Sequence, residues 1–473
     1  MPLILGTNSI KDSAYNVANS LRFNDGSSDH LTKTPSSAGN RRTWTFSVWV
    51  KKCMPLTGGN QRLIACGSGT GGLFSSIEYD SSDRIRILEG TEGGSSSVNV
   101  RGAGFNRDPS AWQHVVVKYD STQGTASDRI KIYLNGVEVT YDSTTYPSEN
   151  NNSEFNNNVV HTIGATSVGS SVGSFFDGYM AEVVLIDGQA LDPTSFGEFD
   201  EDSPTIWKPK DVSGLTFDTN GFYLDFENSG SLGADVSGNG NNFTVNNLTS
   251  IDQSTDTCTN NFATFDAINV NTNMANLSDG NLKYDGGVTT TFRSTFATFG
   301  ATKGKWYMEC KRVDGTSFSI GIIHLEYIAL QSNVSYIGGA GDSTNNIGYL
   351  KDGNTSVGGS ETSGFASYGD GDTVMVAMDL DNGKVYFGVN GTWGNSGDPT
   401  SGSSGTGARS ITVGGNTWTF GVSVFASRWE ANFGSPMYSI SSGNSDAEGF
   451  GNFEFAVPSG YFSLCTKNLA EYG

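Results

Sequence analysis

The chain has 473 residues, of which 36% are hydrophobic and only 16% charged, and its formal net charge is −21. So negative a chain repels nucleic acid phosphates and anionic membrane surfaces, which speaks against both as partners. An aromatic content of 11% speaks against a mostly disordered chain, and the 62 glycines favour short strands and tight turns over helices.

Targeting signals and metal-binding cysteine motifs are not evident. The apolar run from Pro2 to Leu5 is too short for a signal peptide, and no stretch approaches the length of a membrane-spanning helix. We therefore expect synthesis in the cytoplasm without a signal peptide and without membrane insertion. The five cysteines are widely spaced and form no CxxC pair, so we predict neither a zinc site nor a disulfide framework.

In chain order, residues 1–17 read as an N-terminal arm, and we expect it to attach to a neighbouring protein. Residues 18–204 contain about ten short strand candidates, among them TFSVWV (45–50) and WQHVVVKYD (112–120), separated by Gly, Ser, Asn and Asp clusters. Strands at this spacing predict an antiparallel β-sandwich. A short helix is expected near 190–198, and the polar segment 141–158 is expected to be a surface loop.

The second half repeats this organisation. Residues 205–261 have apolar anchors such as Phe222 and Phe243 and are predicted to be a structured bridge. Residues 262–473 resume the strand pattern and predict a second antiparallel β-sandwich, so the fold class is all-β. Two hairpins are the clearest local signals: RIKIYLNGVEV (129–139) and DLDNGKVYFGVNG (379–391) both alternate apolar and polar residues around Asn-Gly turns.

The motifs of the first predicted domain resemble those of laminin-G-like, concanavalin A-like jelly rolls. The resemblance rests on SLRFNDGSSDHLTKTP, TFSVWVKK, WQHVVVKYD, KIYLNGVEV, TIGA and FFDGYMAEVVLIDGQAL, in that order. The second domain resembles SPRY sandwiches through KWYMECKR, SIGII, GDTVMVAMDLDNGKVYFGVNG and FGVSVFASRWEANFG. These resemblances imply two binding or display modules.

The order of the parts adds a third resemblance. A jelly roll, the bridge GFYLDFENSGSLGADVSGNGNNFTVNNLT and a SPRY-like sandwich together are similar to structural proteins of bacteriophages, marine ones especially. This implies a virion surface protein, a tail fibre, an appendage or a capsid decoration. It also implies other virion proteins as partners, a homo-oligomer and host surface glycans as ligands, although fold alone does not give function.

A search for catalytic groups favours a protein without enzymatic activity. Laminarinase-type enzymes on the same jelly roll use E-x-D-x-E on one strand, and the nearest match is EFDED (198–202). It follows the last predicted strand and has Asp202 in place of the final Glu, so a polar domain end explains it better. A carbohydrate-active enzyme stays an alternative, and a SPRY-type peptide-binding adaptor is another.

Ligand-binding candidates are few. Calcium is the one cofactor that the jelly-roll resemblance implies, held by loop oxygens at one rim, but Ala181 stands where many relatives have an acid. Rings near turns are candidates for stacking on sugars. The metal candidates are Asp25, Asp29, Asp177 and Asp187, and the ligand-binding candidates are Trp393, Tyr336 and Tyr349.

Overall fold

The structure is a computed structural model that describes residues 15–55, 58–68, 72–166, 172–268, 276–287, 292–325, 336–339 and 346–473. The chain divides into two compact units whose main bodies are Asp12–Thr259 and Asn260–Gly473, here called the first unit and the second unit. Both are built almost wholly from antiparallel strands, which confirms the all-β prediction. No helix in the described ranges is long and apolar enough to cross a membrane.

The first unit contains eighteen described strands. They are β1 (Ser20–Phe23), β2 (His30–Lys33), β3 (Thr43–Lys52), β4 (Gln61–Gly67), β5 (Leu73–Tyr79), β6 (Ile85–Thr91), β7 (Ser96–Gly102), β8 (Gln113–Asp120), β9 (Ile130–Leu134), β10 (Val137–Glu138), β11 (Tyr141–Thr145), β12 (Val160–Ile163), β13 (Gly178–Asp187), β14 (Gly197–Phe199), β15 (Trp207–Pro209), β16 (Phe222–Leu224), β17 (Thr244–Asn246) and β18 (Gln253–Ser254).

Two eight-stranded sheets form a sandwich in this unit. The first sheet has the order β10-β9-β8-β3-β13-β1-β18, with β16 beside β13, and the second has the order β11-β7-β6-β5-β4-β12-β2-β17. Apolar residues of both sheets meet in one buried cluster that includes Phe46, Val117, Ile77 and Ile87. Burial of this cluster is the main favourable term for the fold.

The second unit contains thirteen described strands and one short helix. They are β19 (Asn276–Ser278), β20 (Lys283–Asp285), β21 (Arg293–Phe296), β22 (Lys305–His324), β23 (Asn346–Leu350), β24 (Thr355–Val357), β25 (Ser360–Thr362), β26 (Thr373–Asp379), β27 (Lys384–Val389), β28 (Thr392–Trp393), β29 (Arg409–Ser410), β30 (Trp418–Asn432), β31 (Phe462–Ser463) and α1 (Thr466–Tyr472).

The long strands β22 and β30 organise the second unit, since they pair along most of their length. The first part of β22 also pairs with β26, and the last part pairs with β23. A register shift between Arg312 and Asp314 separates these parts, and Gly315 follows it with φ 112°. Bulges of this kind bend strands, which lets one continuous sheet supply two layers.

Both Asn-Gly hairpins predicted from the sequence are present. Asn135 and Gly136 have φ 48° and 77° between β9 and β10, and Asn390 and Gly391 have φ 48° and 83° between β27 and β28. Positive φ at both positions is what the tight turn requires. The expected helix near 190–198 is only a 3-10 turn, Pro193–Ser195, because β14 begins two residues later.

Three segments differ in detail from the sequence prediction. The expected loop 141–158 contains β11, which pairs with β7. Segment 205–259 lies in the first unit and supplies β16, β17 and β18 to its two sheets. The expected arm falls mostly outside the described residues, but Val17 is buried against the first unit, beside Trp49.

Candidate functional site

Two surface clefts bring polar and aromatic side chains together, one in each unit. The first cleft has a volume of about 300 Å³ and is called the acidic cleft. It is lined by Asp25, Met54, Pro55, Gly58, Asn60, Gln61, Ser174, Phe175 and Asp177. The second has a volume of about 310 Å³ and is called the aromatic cleft. It is lined by Phe292, Thr316, Tyr336, Leu350, Lys351, Asp352 and Glu361.

The loops that form the acidic cleft are fixed by backbone geometry. Asp25 lies in the turn after β1, closed by a hydrogen bond from the Ser28 amide to the Asp25 carbonyl. Asp177 directly precedes β13, and the Cys53 amide donates to its carbonyl at 3.2 Å. The next residue, Gly178, has φ 152°, and a Cβ there would lie 2.3 Å from the Lys51 carbonyl oxygen, so only glycine lets the chain pass β3 at this point.

The acidic cleft holds an unused buried acceptor. Gln61 begins β4 and is only 7% exposed, yet its Oε1 atom has no hydrogen-bond partner among the described residues. A buried carbonyl oxygen without a partner costs free energy, so a bound group that satisfies it would stabilise the protein. With the carboxylates of Asp25 and Asp177 it offers the oxygen ligands that calcium takes.

The calcium candidates therefore separate into two groups. Asp25 and Asp177 line the acidic cleft, whereas Asp29 and Asp187 do not line it and are held by N–H donors. Asp29 Oδ2 accepts from the Asn24 amide at 3.0 Å. Asp187 accepts from the amides of Asn40 and Asn220. The described ranges contain no group of three or more His, Cys, Asp or Glu side chains arranged to hold a metal, so any ion here would depend on two carboxylates and amide oxygens.

The aromatic cleft is assembled from distant parts of the second unit. The rings of Phe292 and Tyr336 lie 5.1 Å apart at 47°, and Phe425 supports Phe292 from behind at 5.4 Å. Lys351 Nζ donates to the Thr316 carbonyl at 2.7 Å, which fixes the ammonium group at the edge of the cleft. Two half-buried rings beside a fixed charge give the cleft an apolar floor and a polar rim.

The rim of the aromatic cleft carries two carboxylates. Asp352 and Glu361 are exposed, and both accept a hydrogen bond from the Nδ2 group of Asn354, at 3.1 Å and 2.9 Å. These residues belong to the β23–β24–β25 hairpins, whose register places Thr355 opposite both Tyr349 and Thr362. One amide thus orients both acceptors from the same side.

Of the three predicted ligand-binding aromatics, only Tyr336 lines a described cleft. Tyr349 is completely buried, with its ring packed on Phe365, Tyr368 and Phe387. Trp393 is half-buried against the core of the second unit, 6.3 Å from the ring of Tyr307. Burial, the usual role of large aromatic side chains, accounts for both rings.

Acid groups with strongly shifted pKa values lie outside both clefts. Burial raises the pKa of Glu182 to about 7, although hydrogen bonds from Tyr223 and Tyr15 oppose the rise. Burial likewise raises the pKa of Glu309 to about 7, opposed by the amides of Phe455 and Glu454. Perturbed pKa values mark functional sites only when the group is accessible, and these two carboxylates instead tie segments of backbone or side chain together.

A Ser–His pair in the first unit also has a structural explanation. The hydroxyl of Ser47 lies 2.8 Å from Nε2 of His114, but Nδ1 of His114 accepts a hydrogen bond from the Trp207 indole at 3.0 Å. The proton of the neutral ring is therefore on Nε2, so this nitrogen cannot act as a base toward Ser47. Complete burial lowers the pKa of His114 to about 3.

Comparisons with known proteins support the sandwich description. The family model of the concanavalin A-like lectin/glucanases superfamily matches residues 25–195, which confirms the laminin-G-like resemblance within the predicted 18–204 domain. Curated proteins give no match. The match to the family model covers less than half of the chain.

Solved structures resemble parts of the chain at low sequence identity. The SPRY domain of human HERC1 has a TM-score of 0.28 and 14% identity, covering 35% of this chain and 96% of that domain. A putative carbohydrate binding protein from Bacteroides ovatus has a TM-score of 0.34 and 17% identity, covering 49% of this chain and 59% of that protein. A heptameric SAP-like pentraxin from Limulus polyphemus has a TM-score of 0.29 and 14% identity, covering 38% of this chain and 80% of the pentraxin chain.

Sequence reasoning missed Gln61, Phe292, Lys351, Asp352 and Glu361. No local pattern marks them, because the aromatic cleft draws on five separate stretches between positions 292 and 361. The usable signal was indirect: Lys351, Asp352 and Glu361 stand close to the predicted ligand residue Tyr349 in the sequence. The segment that follows Tyr349 lines the aromatic cleft through Lys351 and Asp352, whereas Tyr349 itself does not line it.

Proposed function

We propose that this chain is a non-enzymatic glycan-binding protein displayed on a virus particle, and that the aromatic cleft takes the sugar. The observation that carries the proposal is the pairing of two half-buried rings, Phe292 and Tyr336, with fixed polar groups in one cleft of about 310 Å³. This volume is at the small end of ligand pockets, which suits one or two sugar rings.

The chemistry of the aromatic cleft fits a hydroxyl-rich ligand. The apolar face of a pyranose ring packs on an aromatic ring, and Phe292 and Tyr336 offer two such surfaces at an angle. The carboxylates of Asp352 and Glu361 accept from neighbouring hydroxyls in charge-assisted hydrogen bonds. Lys351 also lines the cleft and donates to a ring or hydroxyl oxygen of the sugar.

The virion assignment rests on how the parts are ordered in the sequence. Two β-sandwich domains with the intervening GFYLDFENSGSLGADVSGNGNNFTVNNLT segment are similar to phage structural proteins. In this proposal the chain is assembled in the host cytoplasm, contacts other virion proteins and forms a homo-oligomer at the particle surface. Many weak sugar contacts on one particle then give strong attachment to the host.

A printed array of neutral and acidic glycans, probed with the full chain, tests the binding site. We expect binding that Tyr336→Ala and Phe292→Ala each reduce by about tenfold or more, because each removes one stacking surface. Trp393→Ala is the matched control, since it changes a half-buried aromatic outside the cleft. Loss of binding only in Trp393→Ala, or no glycan bound at all, contradicts the proposal, and a short peptide bound in the same cleft favours the adaptor alternative.

The virion assignment has its own test. An antibody against the chain should place gold label on purified particles in electron micrographs. Label at the tail identifies a fibre or appendage, and label over the head identifies a capsid decoration. Particles without label contradict the assignment.

The enzyme alternative is tested by a reducing-sugar assay on laminarin and agarose. We expect no turnover. Turnover that disappears in Asp352→Asn and Glu361→Gln would instead assign the two rim carboxylates as an acid–base pair. Glu198→Gln is the comparison at the EFDED motif, where Glu198 pairs with Lys208 at 3.7 Å.

A further inference from the structure

The outward face of the second sheet of the first unit carries a row of charged side chains. Arg62 stands opposite Glu78, Glu78 opposite Arg86, and Arg86 opposite Arg101, on the neighbouring strands β4, β5, β6 and β7. Directly opposed residues project from the same face of a sheet. The alternate positions on β5 and β6 are occupied by core residues such as Ile87, so this face points away from the core. We call these four residues the arginine row.

The arginine row carries more positive than negative charge. Arg62 and Arg86 both pair with the single carboxylate of Glu78, which is fully buried beneath them. Burial and the charge of Arg86 together lower the pKa of Arg62 to about 10. One carboxylate cannot balance two guanidinium groups, so an anion bound on this face would relieve the repulsion.

The next residues along this face are balanced pairs. Arg84 and Arg101 share Asp80 and Asp142 as partners, at distances from 2.7 to 3.3 Å. Arg84 in turn lies beside the exposed ring of Phe105, with 5.8 Å between its guanidinium carbon and the ring centroid. Side-chain contacts therefore connect Arg101 of the arginine row, through Asp80, Asp142 and Arg84, to Phe105 in the loop after β7.

That loop presents the most exposed aromatic ring of the face. Phe105 is 59% exposed, and the guanidinium group of Arg107 lies 4.5 Å from its centroid. Arg107 is fixed by one bond, from Nε to Asp83 Oδ2 at 3.0 Å, and its side chain is 53% exposed. Its terminal N–H groups make no hydrogen bond within the part of the chain that the structure describes.

We propose that this face, from the arginine row to Phe105 and Arg107, binds an acidic polysaccharide through the carboxylate or sulfate groups of its sugars. Two carboxylates of this region each pair with two cations, Glu78 with Arg62 and Arg86 and Asp83 with Lys52 and Arg107, so each group of three has one positive charge in excess. Guanidinium groups bind carboxylates and sulfates in a bidentate manner. The exposed ring offers apolar contact to the same sugar. The site is separate from the aromatic cleft and does not depend on the function proposed for it.

The test measures binding of the full chain to immobilised polygalacturonate, dextran sulfate and neutral dextran at about 50 mM and about 500 mM NaCl. We expect binding to at least one acidic polymer, and which polymer binds distinguishes carboxylate from sulfate recognition. We expect no binding to dextran and a loss of about tenfold or more at the higher salt, because the contacts are charged and exposed.

Two variants locate the site. Phe105→Ala and Arg107→Gln should each weaken binding by about fivefold or more, and Phe105→Ala is the safer variant for folding because its ring is exposed. Arg42→Gln is the matched control, an exposed arginine of the same unit that bonds to Asn152. No binding to either acidic polymer, unchanged binding in both variants, or an equal loss in Arg42→Gln overturns the proposal. Loss of this binding in Tyr336→Ala also overturns it, since the ligand would then occupy the aromatic cleft.

Discussion

At the scale of single residues, Glu182 shows how a buried acid makes folding depend on pH. It lies at a bulge in β13 with φ 52°, and its Oε2 atom accepts from the hydroxyls of Tyr223 and Tyr15 at 2.7 and 2.9 Å. Its pKa is raised to about 7 from 4.5. The folded state therefore holds the proton more tightly than the unfolded state, and the stability this gives is present below pH 4.5 and is lost as pH rises through 7.

We expect Glu182→Gln, which imitates the protonated acid, to remove this dependence. Relative to the unchanged chain, the variant should gain about 3 kcal/mol in free energy of unfolding between pH 4 and pH 8. Denaturant unfolding at a series of pH values, followed by tryptophan fluorescence, measures the difference. Glu201→Gln, which changes an exposed acid of the same unit, is the control for the loss of one carboxylate. A constant difference in Glu182→Gln would refute the assignment.

The acidic cleft gives a second prediction at this scale. We expect calcium to bind there with a dissociation constant of about 10⁻⁴ to 10⁻³ M, because two carboxylates and amide oxygens make a weak site. Titration calorimetry with calcium chloride should show binding that Asp25→Asn and Asp177→Asn each abolish. Asp192→Asn, at an exposed acid paired with Lys118, should leave it unchanged. Absence of heat in the unchanged chain would rule out the site.

At the scale of elements, the Asn-Gly hairpins were predictable because both of their signals are local. Alternation and a positive φ requirement are contained within a dozen residues. The strands β16, β17 and β18 were not predictable as parts of the first sandwich. Each is only two or three residues long, too short to show alternation, and β17 and β18 pair with β2 and β1, more than 200 residues away.

The first hairpin also allows a prediction about its turn glycine. A Cβ on Gly136 would lie 2.4 Å from the ring of Trp207, which is buried and held by its hydrogen bond to His114. With φ 77° the position is strained for any other residue. We expect Gly136→Ala to lower the free energy of unfolding by about 2–4 kcal/mol.

The control for this prediction is Gly124→Ala. An added Cβ there meets no atom within 4 Å and its φ is not positive, so we expect a change below about 0.5 kcal/mol. Urea unfolding of both variants measures the two values. Equal effects in the two variants would show that neither the turn conformation nor the Trp207 contact matters.

At the scale of the whole molecule, the two-sandwich plan could be predicted, whereas the surfaces that bind ligands could not. Composition and strand spacing reflect the average environment of many residues, so a fold class predicted from them stays correct when single positions are misinterpreted. The aromatic cleft and the arginine row depend on which distant strands become neighbours. Glu78 illustrates this, because its two arginine partners become its neighbours only through the pairing of β4, β5 and β6.

The place where the first unit ends gives the last prediction. Phe222, Leu224, Phe226 and Phe243, all beyond position 204, are buried in the core of the first sandwich. A fragment of residues 12–204 would leave that core open and expose the edges of both sheets. We therefore expect the fragment 12–259 to unfold cooperatively and the fragment 12–204 to aggregate or to lack a cooperative transition. Calorimetry shows whether each fragment has a cooperative unfolding transition. Such a transition in the fragment 12–204 would show that segment 205–259 is dispensable for the fold.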